Sequence, residues 1–329
     1  MAYASADRLD TSLVPLIDIG PLRDGSDPQR VADALHRASR DVGFVYVTNH
    51  GIDTAFLAHA RSRALDFFRQ PLDTKLKVSI SAKHRGFLRI GAARMDDNAR
   101  PDLKESFVWG MEDAQGKAPD DHALRGDNRW PQDMPELRST ALRFLDESDR
   151  VARWLLEGFA LGLGRDRQFF LRTSGQPMSR AAFTYYPPQD AALGANQFGV
   201  APHTDFGVLT VLCQDDVGGL QVQHANGTWF EAPPVPGSLV INVGDLLARW
   251  TNGVYRSTPH RVVNSSGRER LSLVLAFDPD PQTLVDAREV FPDQAPSEPP
   301  ITCGDYLQWR FGKAFDYRSK APHTPSRAA

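Results

Sequence analysis

Between Ala181 and Phe277 the chain breaks into short runs of β-forming residues: "AAFTYYPP", "VLTVLCQ", "GLQVQHANGTWFEA", "SLVINVGD", "GVYRSTPHRVV" and "RLSLVLAF". Turn signals separate them, and Asn226-Gly227 and Asn252-Gly253 read as hairpin turns. Many short strands at this spacing predict a jelly roll or barrel, and the earlier part of the chain supplies helices to pack on its outside. The expected fold class is therefore mainly β with flanking helices.

The first half alternates helical and strand patterns. A strand is expected over 14–19, a helix over 27–41 with Val31, Leu35 and Ala38 on one face, and a strand over 43–48 closed by the turn "NHG". A second helix is expected over 53–69 and a long one over 134–163, ended by Gly162 and Gly164. Residues 84–110 mix basic, aromatic and glycine residues and read as a loop. After Pro281 the chain is irregular until a last helix near 303–315, and the tail over 317–329 reads as disordered. There is no internal repeat and no clean linker. One domain over 1–329 is the reading, with an N-terminal helix and strand region (1–178), a β core (179–281) and a C-terminal segment (282–316).

Composition narrows the function. With 41% hydrophobic and 24% charged residues the chain is ordinary globular material. A net charge of −3 and a pI near 6.3 argue against a nucleic-acid partner, which wants a basic face. No apolar stretch approaches the roughly 20 residues of a membrane helix, and the first residues lack a secretory pattern. The two cysteines, Cys213 and Cys303, have no zinc or disulfide spacing. A reducing cytoplasm fits this, and a monomer is the default.

Chemistry enters at "APHTDFGVLT", where His203 and Asp205 stand two apart as an apolar strand begins. Strand side chains alternate, so both would point the same way. If that way is inward, they need a partner that offsets desolvation, and a metal ion is one. His260, in "STPHRVV", is the third candidate. Two histidines and one carboxylate make the facial triad of non-haem Fe(II) oxygenases, with three open positions for a co-substrate and O2. The competing reading is that His203 and His260 are satisfied core or surface residues. His50 reads as a turn residue, and His36, His59, His84, His122, His224 and His323 read as solvent-facing.

Ten residues after His260, alternation in "RERLSLVLAF" puts Arg270, Ser272, Val274 and Ala276 on one face and Leu271, Leu273, Leu275 and Phe277 on the other. The wholly apolar face should meet helices, so Arg270 points into the barrel. An inward guanidinium beside a hydroxyl suits a carboxylate ligand, unless an internal Asp pairs with it. Arg268 reads as a solvated loop charge. Tyr186, in "TYYPP", is either a hydroxyl aimed inward or a packing aromatic.

These residues resemble the isopenicillin N synthase-like family of Fe(II)- and 2-oxoglutarate-dependent oxygenases. The likeness covers nearly the whole chain through "VPLIDIGPL", "DVGFVYVTNHGI", "RPDLKESFVWG", "HTDFGVLTVLCQDDVGGLQV", "GSLVINVGDLLARWTNGVYRSTPHRVV" and the Arg-x-Ser of Arg270 and Ser272. The resemblance implies a distorted double-stranded β-helix (jelly roll) core packed by N-terminal helices and a C-terminal helix. It implies Fe(II) on His203, Asp205 and His260, and 2-oxoglutarate anchored by Arg270 and Ser272 with help from Tyr186. The implied reaction consumes O2, yields succinate and CO2, and hydroxylates, desaturates or cyclises a small-molecule substrate. Two positions depart from the pattern. Thr184 stands where plant members carry an asparagine that contacts the C1 carboxylate. Ala276 stands where many members carry an aromatic residue, leaving space for a bulky substrate.

Alternatives follow from the same residues. Isopenicillin N synthase uses its Arg-x-Ser for a substrate carboxylate, and aminocyclopropane carboxylate oxidase also dispenses with 2-oxoglutarate, so Arg270 and Ser272 report an anion without naming it. A catalytically silent binding protein would be expected to lose a ligand or the arginine, and none is missing. A nucleic-acid demethylase would want a basic face. Arg85, Arg89 and Arg94 read as solvated loop charges or as contacts to an acidic small molecule. The substrate's neighbourhood is expected around Val274, Ala276, Phe206, the 84–110 loop and the last helix near Tyr306 and Phe311.

Overall fold

The computed structural model describes residue 6 and residues 14–92, 100–189 and 197–315. Arg94, His323 and the 317–329 tail lie outside the described residues. The N-terminal half gives β1 (Leu16–Asp18), α1 (Gly20–Asp24), α2 (Pro28–Asp41), β2 (Phe44–Thr48), α3 (Thr54–Phe68), α4 (Leu72–Leu76), β3 (Gly86–Leu88), β4 (Glu105–Gly110) and α5 (Pro135–Gly162). The C-terminal half gives β5 (Arg180–Tyr186), β6 (Val200–His203), β7 (Leu209–Cys213), β8 (Leu220–Gln223), β9 (Trp229–Glu231), β10 (Leu239–Val243) and α6 (Asp245–Trp250). It continues with β11 (His260–Val262), β12 (Arg270–Phe277), β13 (Leu284–Val285), α7 (Ala287–Val290), β14 (Ile301–Thr302) and α8 (Cys303–Ala314).

Eight strands form one sheet in the order β1-β2-β10-β7-β12-β5-β4-β3, and four form a second, β6-β11-β8-β9. The strands alternate as expected for a sheet with two different neighbours. Val45, Val47, Leu239, Ile241, Val211, Leu271, Leu273 and Leu275 pack with α2, α3 and α5 in one core. Phe44, Tyr46, Val240, Tyr186, Val200, Leu220, Val222 and Val262, drawn from both sheets, make a second core between them. The helices form where the apolar stripe demands them. Asp27 and Asp53 cap α2 and α3 by accepting from Arg30 N and Ala55 N, at 3.3 Å and 2.8 Å. No helix among the described residues is long and apolar enough to cross a membrane.

Three sequence expectations change. The 84–110 stretch contains β3 and β4, and β4 is buried at every position, so it shows no alternation for a reader to find. Asn252 and Gly253 do not make a hairpin. With φ of 50° and 79° they end α6, and Gly253 N bonds back to Ala248 O. Of "GVYRSTPHRVV" only His260–Val262 is strand. Before it, Ser257 donates to Asp245, Thr258 donates to Val42 O, and Pro259 has no N–H to give to a ladder.

Candidate metal centre and cavity

β6 and β11 pair antiparallel with His203 directly opposite His260, so their imidazoles lie side by side with ring centroids 4.3 Å apart. Asp205 is not on the strand with His203. It sits two residues beyond the end of β6, in the turn before β7, and other elements aim it. Its Oδ2 accepts from Thr210 Oγ1 (2.5 Å) and Asn242 Nδ2 (2.7 Å), and its carbonyl accepts from Asp245 N (2.8 Å). The turn lies tight against the start of α6. A Cβ at Gly244 would meet the Gly207 carbonyl oxygen at 2.0 Å, so only glycine fits.

This leaves Asp205 Oδ1 at 3.8 Å from both His203 Nε2 and His260 Nε2. One ligand atom from each of the three residues falls within 4.8 Å of the others. The other ring nitrogens face carbonyls: His203 Nδ1 donates to Ala201 O at 2.8 Å and His260 Nδ1 to Thr258 O at 3.2 Å. A carbonyl accepts only, so each Nδ1 carries the proton and each Nε2 lone pair is free for a metal. Burial and the neighbouring His260 push the His203 pKa down to about 3, against the pull of Asp205. Burial alone would raise the Asp205 carboxyl, but the imidazoles and the Thr210 and Asn242 donors outweigh it and hold it at about 2. The set is two imidazoles and one carboxylate, a donor set that suits Fe(II).

Sequence reasoning missed Thr210 and Asn242. Their signal is that each is a polar residue inside an apolar strand, "VLTVLC" and "SLVINV". Asn242→Leu is expected to weaken metal binding by roughly 10- to 100-fold, the usual cost of losing an outer-shell partner. A Mn(II) titration checks it, and unchanged affinity would mean that Thr210 alone holds the carboxylate.

One cavity joins the triad to the rest of the predicted site, lined among others by Tyr186, Phe206, Arg270, Ser272, Val274, Ala276 and Phe311. Arg270 is 1% exposed. Its Nε donates to Gly218 O (2.5 Å) and Nη1 to Ser272 Oγ (2.8 Å), while Nη2 is buried without a partner. Among the described residues no Asp or Glu pairs with it, which removes the internal ion-pair reading. Tyr186 lies opposite Arg270 in the β5–β12 register, with the guanidinium 4.7 Å from its ring centroid. The tyrosine ring thus supports the arginine through its face. Thr184 faces the cavity between Ser106 and Ser272, and its hydroxyl is 3.4 Å from Ser106 Oγ.

Other predicted residues move. His84 is buried rather than solvent-facing; it meets Phe311 edge-on at 4.6 Å and lines the cavity. Arg85 is buried and donates to the carbonyls of Lys83 and His84, so it is not a solvated charge, whereas Arg89 is exposed. His36 and His122 are half-buried, His36 against Tyr255 OH at 3.1 Å. His59 and His224 are exposed, and His50 holds its turn by accepting from Ile52 N. Arg268 is an exposed loop charge facing Asp216. Cys213 and Cys303 are buried and free. Tyr306 turns away from the cavity to Asp245. Asp245 Oδ2 also receives Arg310 Nη1 (2.6 Å) and Thr204 Oγ1 (3.2 Å), which ties α8 to the turn that carries Asp205.

The chain belongs to the 2OG-Fe(II) oxygenase superfamily, whose profile matches residues 177–279. A second profile, described as the N-terminal part of a non-haem dioxygenase in morphine synthesis, matches residues 14–133. The protein is accordingly an Fe(II)- and 2-oxoglutarate-dependent dioxygenase with O2 as co-substrate, built on a double-stranded β-helix. Homoarginine-6-hydroxylase of Glycine max is 32% identical over 295 residues, covering 84% of this chain and 88% of that protein. Validamycin A dioxygenase of Streptomyces hygroscopicus subsp. limoneus is 32% identical over 286 residues, covering 83% and 78%. The crystal structure of a full-length Neurospora crassa protein in complex with alpha-KG superposes with a TM-score of 0.82 at 28% identity, covering 95% of this chain and all of that one.

Proposed function

We propose that the protein couples oxidative decarboxylation of 2-oxoglutarate to oxidation of a small organic substrate, with His203, Asp205 and His260 as the Fe(II) ligands. Bound iron with 2-oxoglutarate and O2 supplies the oxidising power for breaking a C–H bond. The chain's own residues bind, orient and exclude water. Arg270 and Ser272 take the distal carboxylate of the co-substrate, and the Tyr186 ring holds the guanidinium in place. Phe206 and Phe311 wall the cavity beside the triad, where a dry setting strengthens the charged contacts.

The observation that carries this reading is Arg270 Nη2, buried in the cavity wall without an acceptor. A guanidinium so placed is costly unless an anion meets it. The likeness to the Neurospora crassa structure that holds alpha-KG supports 2-oxoglutarate as that anion over the oxidase alternative. We read the chain further as a monomer of a reducing cytoplasm acting without nucleic-acid or membrane partners. Its net charge of −3 and two free buried cysteines support that reading.

The test is anaerobic: Fe(II) is added to the protein, then 2-oxoglutarate, and the visible metal-to-ligand charge-transfer band is recorded. The band should appear, and succinate should form once O2 is admitted. Tight Fe(II) binding with no band would transfer Arg270 to the prime substrate.

A further inference from the structure

The cavity wall formed by β4, β5 and β12 is a panel of cross-strand rows. Ser106, Thr184 and Ser272 form a row of hydroxyls, and Val108, Ala182 and Val274 an apolar row. Tyr186 and Arg270 close one end. The opposite end is the row Gly110, Arg180 and Ala276, and the register carries it on to Thr210 and Asn242, the two residues that hold Asp205. Six residue steps along β12 take Arg270 to the Arg180 row, about 20 Å of strand. The two arginines therefore stand at opposite ends of the panel, and only Arg270 is held by Gly218 O and Ser272 Oγ.

Arg180 lines the cavity with its guanidinium 4.6 Å from the Phe311 ring centroid. Its Nη1 donates to Asp278 at 2.7 Å, and its other donors have no acceptor among the described residues. Asp278 is fully buried behind it and also accepts from Val208 N. Lys104, also on the wall, is 3.5 Å from the buried Asp102. Among the described lining residues the only carboxylate is Asp205, itself in the triad. The wall therefore offers hydrogen-bond donors to its contents, with Arg180 and Lys104 each backed by a buried aspartate.

We propose that Arg180 binds an anionic group, a carboxylate by its fork geometry, on the prime substrate. The substrate's apolar body lies along Val108, Ala182 and Val274 beneath Phe206 and Phe311. Arg180 lies two strands from Thr210, about 10 Å, so the anion is several bonds from the carbon that reacts. Ala276, between Arg180 and Thr210, keeps that path open. The inference rests on the 2-oxoglutarate reading, and its test separates the two.

In the anaerobic Fe(II)–2-oxoglutarate complex, perturbation of the charge-transfer band is titrated with 3-phenylpropanoate and with 3-phenylpropanamide. The carboxylate should bind at least about tenfold more tightly than the amide. Arg180→Gln should bring the two within about twofold, and Arg180→Lys should retain part of the preference. Ala276→Phe keeps the Arg180–Asp278 pair and should weaken carboxylate binding by filling the space beside it. Equal affinities, tighter amide binding, no response to either probe, or a preference that survives Arg180→Gln would each overturn the proposal while leaving the band, and the co-substrate reading, in place. Absence of the band in the wild type would reject both. If Arg180→Gln does not fold, the Arg180→Lys and Ala276→Phe titrations decide the matter: a carboxylate preference unchanged in both would overturn the proposal.

Discussion

Replacing Asp205 with alanine is expected to abolish Fe(II) binding and reduce turnover to background. Its Oδ1 is 3.8 Å from each imidazole Nε2 and supplies the one negative charge of the set. Without it two neutral ligands remain, and Thr210 and Asn242 lose the acceptor they share. The loss of affinity should exceed the roughly 10- to 100-fold that removal of an outer-shell partner costs. Asp205→Glu should not rescue, because its longer side chain moves the carboxylate off the Thr210 and Asn242 donors. An Fe(II) or Mn(II) titration with succinate formation as the activity readout checks both variants. Metal affinity close to the wild type in Asp205→Ala would place the iron elsewhere.

Arg270→Ala should produce the second large effect, on 2-oxoglutarate alone. Truncating one member of a buried, hydrogen-bonded charge pair costs about 2–5 kcal/mol, which is roughly 30- to 4,000-fold in Kd at 1.4 kcal/mol per decade. Fe(II) affinity should stay near wild type, since Arg270 touches none of the three ligands. The thermal signature has a definite sign. Saturating 2-oxoglutarate should raise the Tm of the Fe(II)-loaded wild type and leave that of Arg270→Ala unmoved at the same concentration. Equal stabilisation of both would detach the co-substrate from this arginine.

How much of this was legible in sequence depended on whether a residue's environment was set nearby. The β12 alternation carried Arg270 and Ser272 inward and Leu271, Leu273 and Leu275 outward, because the two faces of that strand differ along a single run. His203 and His260 were legible as candidate ligands, and the fold sets them side by side, but the reason Asp205 joins them is not the strand period. It is set by Thr210 on β7 and Asn242 on β10. His84 gave no local sign of burial, since its neighbours Phe311 and Phe315 arrive on or just after α8, far along the chain. Arg180 was passed over because its partner Asp278 and its cross-strand neighbour Ala276 lie about a hundred residues away. The two Asn-Gly pairs show the limit plainly. Asn226-Gly227 turns β8 into β9 with a positive φ at the glycine alone, whereas Asn252-Gly253 finishes a helix with a positive φ at both residues.

The position of β2 also fixes when the eight-stranded sheet can be completed. Residues 44–48 lie between β1 and β10, with Val45 opposite Ile241 and Phe44 opposite Asn242. A segment made early in synthesis must wait for a partner made late, and Phe44, edge-on to His260 at 5.3 Å, waits with it. Such distant pairings slow folding, because loop-closure entropy is spent before the contacts return it. Until β10 emerges, β2 offers an unpaired apolar edge. Nascent chains of this protein should therefore depend on chaperones until β10 has been made, and the proposed metal ligands come together later still, since His260 follows β10.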